Sequence, residues 1–187
     1  MPDAPSTVVY ACWGVFLVTW AIAALFTKRT LERTWGTSRW LMIGTGLVVY
    51  WIARGFRLFG TQRLWTSTAE IEWLAAGITL VGLGVTLWAR WALGRNWSGS
   101  VTFKQDHELI EHGPYRFVRH PIYTGLLTMA LGSAILRDAV SGFVFCGILL
   151  AGFWIKLRAE EQLMTRHFPD AYPAYRERVR ALIPFVL

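Results

Sequence analysis

Lys156, Arg158, Glu160 and Glu161 crowd into the stretch KLRAEE. Lys156 and Glu160 are four apart, so on a helix they are neighbours on one face. Adjacent carboxylates suit a cationic ligand group, and Lys156 and Arg158 suit an anionic one. Earlier in the chain, GPYRFVRHPIYTG at 113–125 sets Arg119 and His120 directly before Pro121, between Tyr115 and Tyr123. Proline fits the first position of a helix and biases the residue before it, His120, toward extended backbone. The free N–H groups of a helix start favour anions. Arg119 is a candidate carboxylate clamp, and the tyrosines offer flat faces that attract cations. Together these residues could hold a ligand bearing both charges. An interfacial Arg/Tyr/His belt at a membrane boundary accounts for the same residues equally well.

Other chemistries find less support. The histidines are His107, His112, His120 and His167. No pair has the i, i+4 spacing of a zinc helix and no cysteine lies near them, so no metal centre is expected. Cys12 and Cys146 sit inside apolar runs and read as small hydrophobes. The net charge of +7 falls mainly in short loops between apolar runs, which favours membrane topology over nucleic acid.

The elements that must position these residues are membrane helices. Of 187 residues, 54% are hydrophobic and only 17% charged, the composition of a polytopic membrane protein. Tryptophans stand at the edges of apolar runs (Trp35, Trp40, Trp65, Trp91, Trp97), as in interfacial belts. Five runs are predicted as spans, roughly 8–26, 40–59, 71–93, 121–136 and 139–155. The first follows a segment with no basic character and is read as a span rather than a cleaved signal. The fourth is short, and Arg137-Asp138 joins it tightly to the fifth, which predicts an antiparallel hairpin. Arg54 and Arg57 in the second run are read as snorkelling to headgroups. Glycines in the last three runs (Gly77, Gly82, Gly84, Gly125, Gly132, Gly142, Gly147, Gly152) are read as helix-packing residues.

Alternate loops are basic: 27–39 carries Lys28, Arg29, Arg33 and Arg39, whereas 60–70 carries only Arg63. The positive-inside rule then places the N-terminus outside and the C-terminus in the cytoplasm of a cell membrane. Segments 94–119 and 156–187 share the cytoplasmic face. In the tail, Leu157, Met164 and Phe168 lie near helical spacing. Tyr172, Tyr175, Val179 and Leu182 form a second stripe after a helix start near Pro173. This predicts an amphipathic helix on the inner membrane surface, with Arg176, Arg178 and Arg180 toward anionic headgroups.

HELI at 107–110, GPYRFVRHPIYTG at 113–125 and EEQLMTRHFPDAYPAYRERVRALIPF at 160–185 resemble the isoprenylcysteine carboxyl methyltransferase family, which is related to the phospholipid N-methyltransferases. The resemblance covers roughly 90–187. It implies an all-α integral membrane enzyme of a single domain: three N-terminal helices over 1–93, and a cofactor-binding, catalytic half over 94–187. It implies S-adenosylmethionine as cofactor, S-adenosylhomocysteine as product, and a pocket on the cytoplasmic side without a Rossmann domain. By resemblance His107, Glu108, Leu109 and Ile110 line the cofactor, followed by Tyr115 and then His120, Pro121, Ile122 and Tyr123, with Thr102 contributing. In the phospholipid branch the pair Glu160–Glu161 contacts cofactor. In the prenylcysteine branch the first Glu faces substrate with an upstream basic residue, which falls on Lys156 here, with Arg158 nearby.

Such chemistry suits the residues. Tyr115 and Tyr123 can stabilise a sulfonium, Glu160 or Glu161 an ammonium, and Arg119 or the helix N–H groups a carboxylate. An acceptor carboxylate needs only orientation, by Arg158 or Lys156, whereas an amine must lose a proton, for which Glu160 is the candidate base. The expected acceptor is a lipophilic small molecule or lipid entering from the bilayer. Two other readings compete. An NADPH-dependent sterol-type reductase shares an RHPxY-like region, but the short chain and the Glu pair argue against it. A non-catalytic membrane scaffold is opposed by the complete polar set.

Overall fold

The computed structural model describes residues 3–24, 30–33, 63–94, 102–104 and 109–184. The run at 40–59, with Arg54 and Arg57, lies outside them. Helix α1 spans Ala4–Ala24. Its start is capped by Asp3, whose Oδ1 accepts the Ser6 N–H at 2.9 Å. Helix α2 spans Ala69–Leu93, with Glu70 and Glu72 in its first turn, where the helix dipole favours acids. It stops at Gly94, whose φ of 53° suits glycine. Helices α3, Pro121–Arg137, and α4, Val140–His167, follow. Helix α5 covers Ala171–Arg178. Among the described residues, α1 over Ala4–Ala23, α2 and α4 are long and apolar enough to cross a membrane. The chain is an all-α integral membrane protein.

Two short strands add a detail to the helical expectation. Strand β1, Thr30–Arg33, pairs antiparallel with β2, Thr102–Lys104. They join the segment that follows α1 to the segment that follows α2.

Lipid is as apolar as leucine, so membrane helices associate through close packing of small residues. At the α2–α3 crossing a Cβ on Gly82 would sit 2.6 Å from the Gly125 carbonyl oxygen, and one on Gly132 would sit 2.6 Å from that of Ala75. Thr79 and Thr86, buried at the same crossing, donate their hydroxyls to Ala75 and Gly82 carbonyls at 2.9 and 2.8 Å. Helix α1 packs on this pair through Cys12, against Leu83 and Met129. The Trp13 indole donates to Ser133 Oγ at 2.9 Å. Gly142 brings α4 against Ala134, whereas Gly77, Gly84, Gly147 and Gly152 meet no neighbour within 4 Å among the described residues. Among the described residues, Gly82, Gly125, Gly132 and Gly142 pack as predicted.

The predicted hairpin is present. Asp138, with φ 50° and ψ 30°, turns the chain between α3 and α4. Its carbonyl accepts the Leu64 N–H at 2.8 Å, and Arg63 bridges to Ala139. The polar start of α3 and the polar end of α4 consequently meet at the opposite end of the bundle. Helix α4 runs twelve residues past the predicted limit at 155, carrying KLRAEE on one continuous rod.

The tail departs from expectation. The helix after Asp170 ends at Arg178, and Val179 is extended, with φ −122° and ψ 133°. Arg180 lies in a parallel bridge with Val118. Tyr172, Tyr175 and Leu182 are buried inside the protein. The stripe is real, but its apolar side is covered by the chain itself. A periodic pattern specifies that a face is buried, not what buries it.

Candidate functional site

Pro121 opens α3 at its first position and is itself buried. That directs the chain before it across the end of α4. His120 therefore meets both carboxylates, with Nε2 3.3 Å from Glu161 Oε1 and Nδ1 3.6 Å from Glu160 Oε2. His120 and Glu160 thus lie side by side at this end of the bundle.

Adjacent residues on a helix point about 100° apart, and the two glutamates have different surroundings. Glu161 is buried, with a side-chain exposure of 5%. Arg119, exposed by 8%, approaches its Oε1 through Nη2 at 2.6 Å and Nε at 2.8 Å. Arg176 Nε lies 3.6 Å from its Oε2. The Arg119 Nη1 group donates to the carbonyls of Arg176, at 3.1 Å, and Val179. Arg119, expected as a clamp for a ligand carboxylate, is thus committed to Glu161 and to the tail.

Glu160 retains 24% exposure. It accepts the Tyr123 hydroxyl at 2.7 Å and lies 3.7 Å from Lys156 Nζ. Tyr123 is fixed in a stack, its ring nearly parallel to His120 at 5.5 Å and to Phe153 at 4.6 Å. The Lys156 ammonium sits 5.3 Å from the Tyr123 ring centre, within cation–π range. A carboxylate, a cation and stacked aromatic faces therefore converge beside partly exposed Glu160.

A second layer braces this one. The Arg119 and His120 N–H groups donate to the Arg180 and Ala181 carbonyls at 2.8 and 3.0 Å. Thr124 Oγ1 donates to the Leu182 carbonyl at 2.7 Å. Tyr175, 2% exposed, donates its hydroxyl to the Tyr115 carbonyl at 2.6 Å. Tyr115 lies in a short 3-10 turn, Gly113–Arg116. Burial, then the nearby charge of Glu160, pushes the Tyr115 phenol up. Burial, then Glu111, does the same to Tyr175. Both remain neutral across the physiological range.

The remaining predicted residues divide. Ile122 packs on the core of Tyr123, Leu157, Ala181 and Leu182. Leu109 and Ile110 are half-buried. The backbone of Thr102 belongs to β2; His107 and Glu108 lie outside the described residues. Arg158 is exposed, with its guanidinium over the Trp154 ring at 5.0 Å. Sequence reasoning did not single out Phe153, Thr124 or the bracing roles of Arg176 and Tyr175. The Tyr172–Tyr175 spacing was the available signal, and it was assigned to the membrane surface.

A model of the phospholipid methyltransferase family matches residues 71–171, from α2 to the start of α5. The chain is also similar to curated proteins. Over 96 residues it is 35% identical to a protein-S-isoprenylcysteine O-methyltransferase of Schizosaccharomyces pombe, covering 50% of this chain and 41% of that protein. Isoprenylcysteine O-methyltransferase A of Arabidopsis thaliana is 32% identical over 87 residues, 46% of this chain and 44% of the relative. The Rattus norvegicus enzyme is 29% identical over 128 residues, 65% of this chain and 45% of the relative. The aligned part is thus less than half of each of these three proteins. The family match contains α2, α3, α4 and all of the His120–Glu160–Glu161 cluster, and the relatives agree with the resemblance carried by the RHPIY and EE motifs: the chain belongs to the phospholipid methyltransferase family.

Proposed function

We propose that this protein is an S-adenosylmethionine-dependent methyltransferase that methylates a carboxylate of a lipophilic acceptor at the cytoplasmic face of a cell membrane. The observation that carries the reading is the division of labour in the Glu pair. Glu161 is enclosed by Arg119, His120 and Arg176, while Glu160 stays reachable beside an aromatic stack and a lysine. Family membership supports a methyl-transfer reaction, and the relatives' names specify an O-methyl product for those proteins.

The residues present fit the cofactor. A partly exposed carboxylate next to parallel aromatic rings is a receptor for a ligand with ammonium and sulfonium groups. When bound, S-adenosylmethionine supplies a methyl group on a cationic sulfur, which departs as S-adenosylhomocysteine once an acceptor oxygen has taken the methyl. The chain's own part is to bind, orient and exclude water. Glu160 takes a cationic group, oriented by the Tyr123 hydroxyl. Lys156 takes an anionic one. Between Lys156 and Arg158 the assignment falls on Lys156, whose ammonium is beside Glu160 while the Arg158 guanidinium rests on Trp154. A carboxylate acceptor is already ionised and needs no base. A lipid amine is the second acceptor class, compatible with the phospholipid in the family's name, and in that case Glu160 takes the proton.

Calorimetry of the detergent-purified protein with S-adenosylhomocysteine tests the cofactor. Methyl-labelled S-adenosylmethionine with a lipid extract tests the acceptor. Base-labile label marks an ester, and base-stable label marks an amine. No binding of either cofactor form overturns the proposal, and binding of NADPH instead transfers it to the reductase class.

A further inference from the structure

The tail contributes more to this end of the molecule than bulk. Besides the Arg119 guanidinium, four hydrogen bonds among the described residues pin it to the motif stretch from both sides. Tyr175 reaches the Tyr115 carbonyl at 2.6 Å, the Arg180 and Ala181 carbonyls accept the Arg119 and His120 N–H groups, and Thr124 reaches the Leu182 carbonyl at 2.7 Å. The last three are made by an extended segment that follows Arg178, not by a helix. The residue before a proline has few backbone choices but is not fixed. His120 sits at φ −124° and ψ 59°, outside the ordinary extended basin. The two N–H bonds to the tail hold the backbone that carries His120, whose ring lies 3.3 Å from Glu161 and 3.6 Å from Glu160.

We propose that residues 175–182 form a strap that positions the cofactor wall, with Tyr175 and Thr124 as positioning residues at its two ends. This rests on the methyltransferase reading above and names residues of that site that touch neither acceptor nor cofactor. Tyr175 sets the height of the Tyr115 turn. Thr124 anchors the far end of the strap one turn into α3, directly after Tyr123. Between them the main chain of 180 and 181 holds Arg119 and His120.

The test uses the full-length protein in detergent. Tyr175→Phe and Thr124→Val each remove one hydroxyl while keeping shape. Thr124→Ser restores the hydroxyl. Arg180→Ala is the control, because Arg180 acts through its carbonyl and its side chain is exposed. A lost bond to a buried carbonyl is worth roughly one order of magnitude in an equilibrium. The expected result is about a tenfold weaker S-adenosylhomocysteine affinity for Tyr175→Phe and Thr124→Val, with wild-type affinity in Thr124→Ser and Arg180→Ala. Amide exchange should accelerate at residues 118–120 in the two weakened variants. Variants that melt earlier but keep wild-type affinity and exchange at 118–120 overturn the proposal and leave the strap a structural brace. Loss of affinity in Thr124→Ser equal to that in Thr124→Val also overturns it. If the wild type itself binds no S-adenosylhomocysteine, the methyltransferase reading falls, and the cofactor role of the strap falls with it. If the wild type binds and the variants do too, only the strap is refuted.

Discussion

Glu161→Gln and Glu160→Gln are the same substitution one residue apart, and the geometry gives them opposite consequences. Glu161 and Arg119 have side-chain exposures of 5% and 8%, with Nη2 to Oε1 at 2.6 Å. Removing one partner of a buried pair costs about 3–5 kcal/mol, because the remaining charge is stranded. Glutamine keeps an acceptor oxygen, and the Arg176 and Val179 carbonyls still receive the guanidinium. The loss should therefore lie at the low end, about 3 kcal/mol, which is roughly a hundredfold in the folding equilibrium. Glu160 is 24% exposed and its neighbour Lys156 is 21% exposed, so solvent screens what remains. Glu160→Gln should cost at most about 1 kcal/mol. Methyl transfer should reverse the order, with Glu160→Gln losing at least about a hundredfold in kcat/KM, the scale of one charged contact to a reacting ligand. Glu161→Gln, measured where it is folded, should lose less. The assay pairs tryptophan-monitored unfolding in mixed micelles of increasing dodecyl sulfate fraction with labelled methyl transfer. Equal destabilisation by the two variants, or a stable and inactive Glu161→Gln, would refute the division of roles.

Three further expectations rest on the same geometry. Lys156→Met should lower kcat/KM by about tenfold or more, while Arg158→Ala stays within about twofold; the reverse ranking transfers the orienting role to Arg158. Tyr123→Phe keeps the ring stack with His120 and Phe153 and removes the 2.7 Å bond to Glu160. It should weaken S-adenosylhomocysteine binding by about tenfold in calorimetry, near the value of one hydrogen bond to a charged group. Gly132→Ala forces a Cβ to within 2.6 Å of the Ala75 carbonyl and should cost about 1–3 kcal/mol in the same micelle titration. Gly147→Ala, with nothing within 4 Å among the described residues, should change stability by less than about 0.5 kcal/mol.

The hairpin was legible because local rules pointed the same way. Pro121 announces a helix start, Arg137-Asp138 leaves too little chain for anything but a turn, and the apolar runs are helical in length. From these alone His120 and KLRAEE fall at one end of a two-helix unit. The partners within that end were not legible. Which of two adjacent glutamates faces Arg119 depends on the rotation of α4, set by Leu157 and Leu163, both buried. Arg119 read as a ligand clamp because arginine beside a helix start suits anions; the anion it meets belongs to the protein. The tail misled for a related reason. Tyr172, Tyr175, Val179 and Leu182 keep helical spacing beyond the point where the helix ends, since a strand segment pairing with 118–120 makes no demand that contradicts the stripe.

A buried ion pair is weak evidence of stability, since well-packed apolar residues of equal volume often serve as well. Its use here is better sought in what an apolar pair at 119 and 161 would fail to do. Such a pair could fill the space and still hold the tail through the main-chain bonds of 119 and 120. It would leave His120 Nε2 without the carboxylate that now lies 3.3 Å away. It would also remove the guanidinium that reaches the Arg176 and Val179 carbonyls. The imidazole would then have one carboxylate neighbour in place of two while still stacked on Tyr123. The buried pair is therefore best understood as the fixed side of the site. It sets the orientation from which His120, Tyr123 and Lys156 together present Glu160.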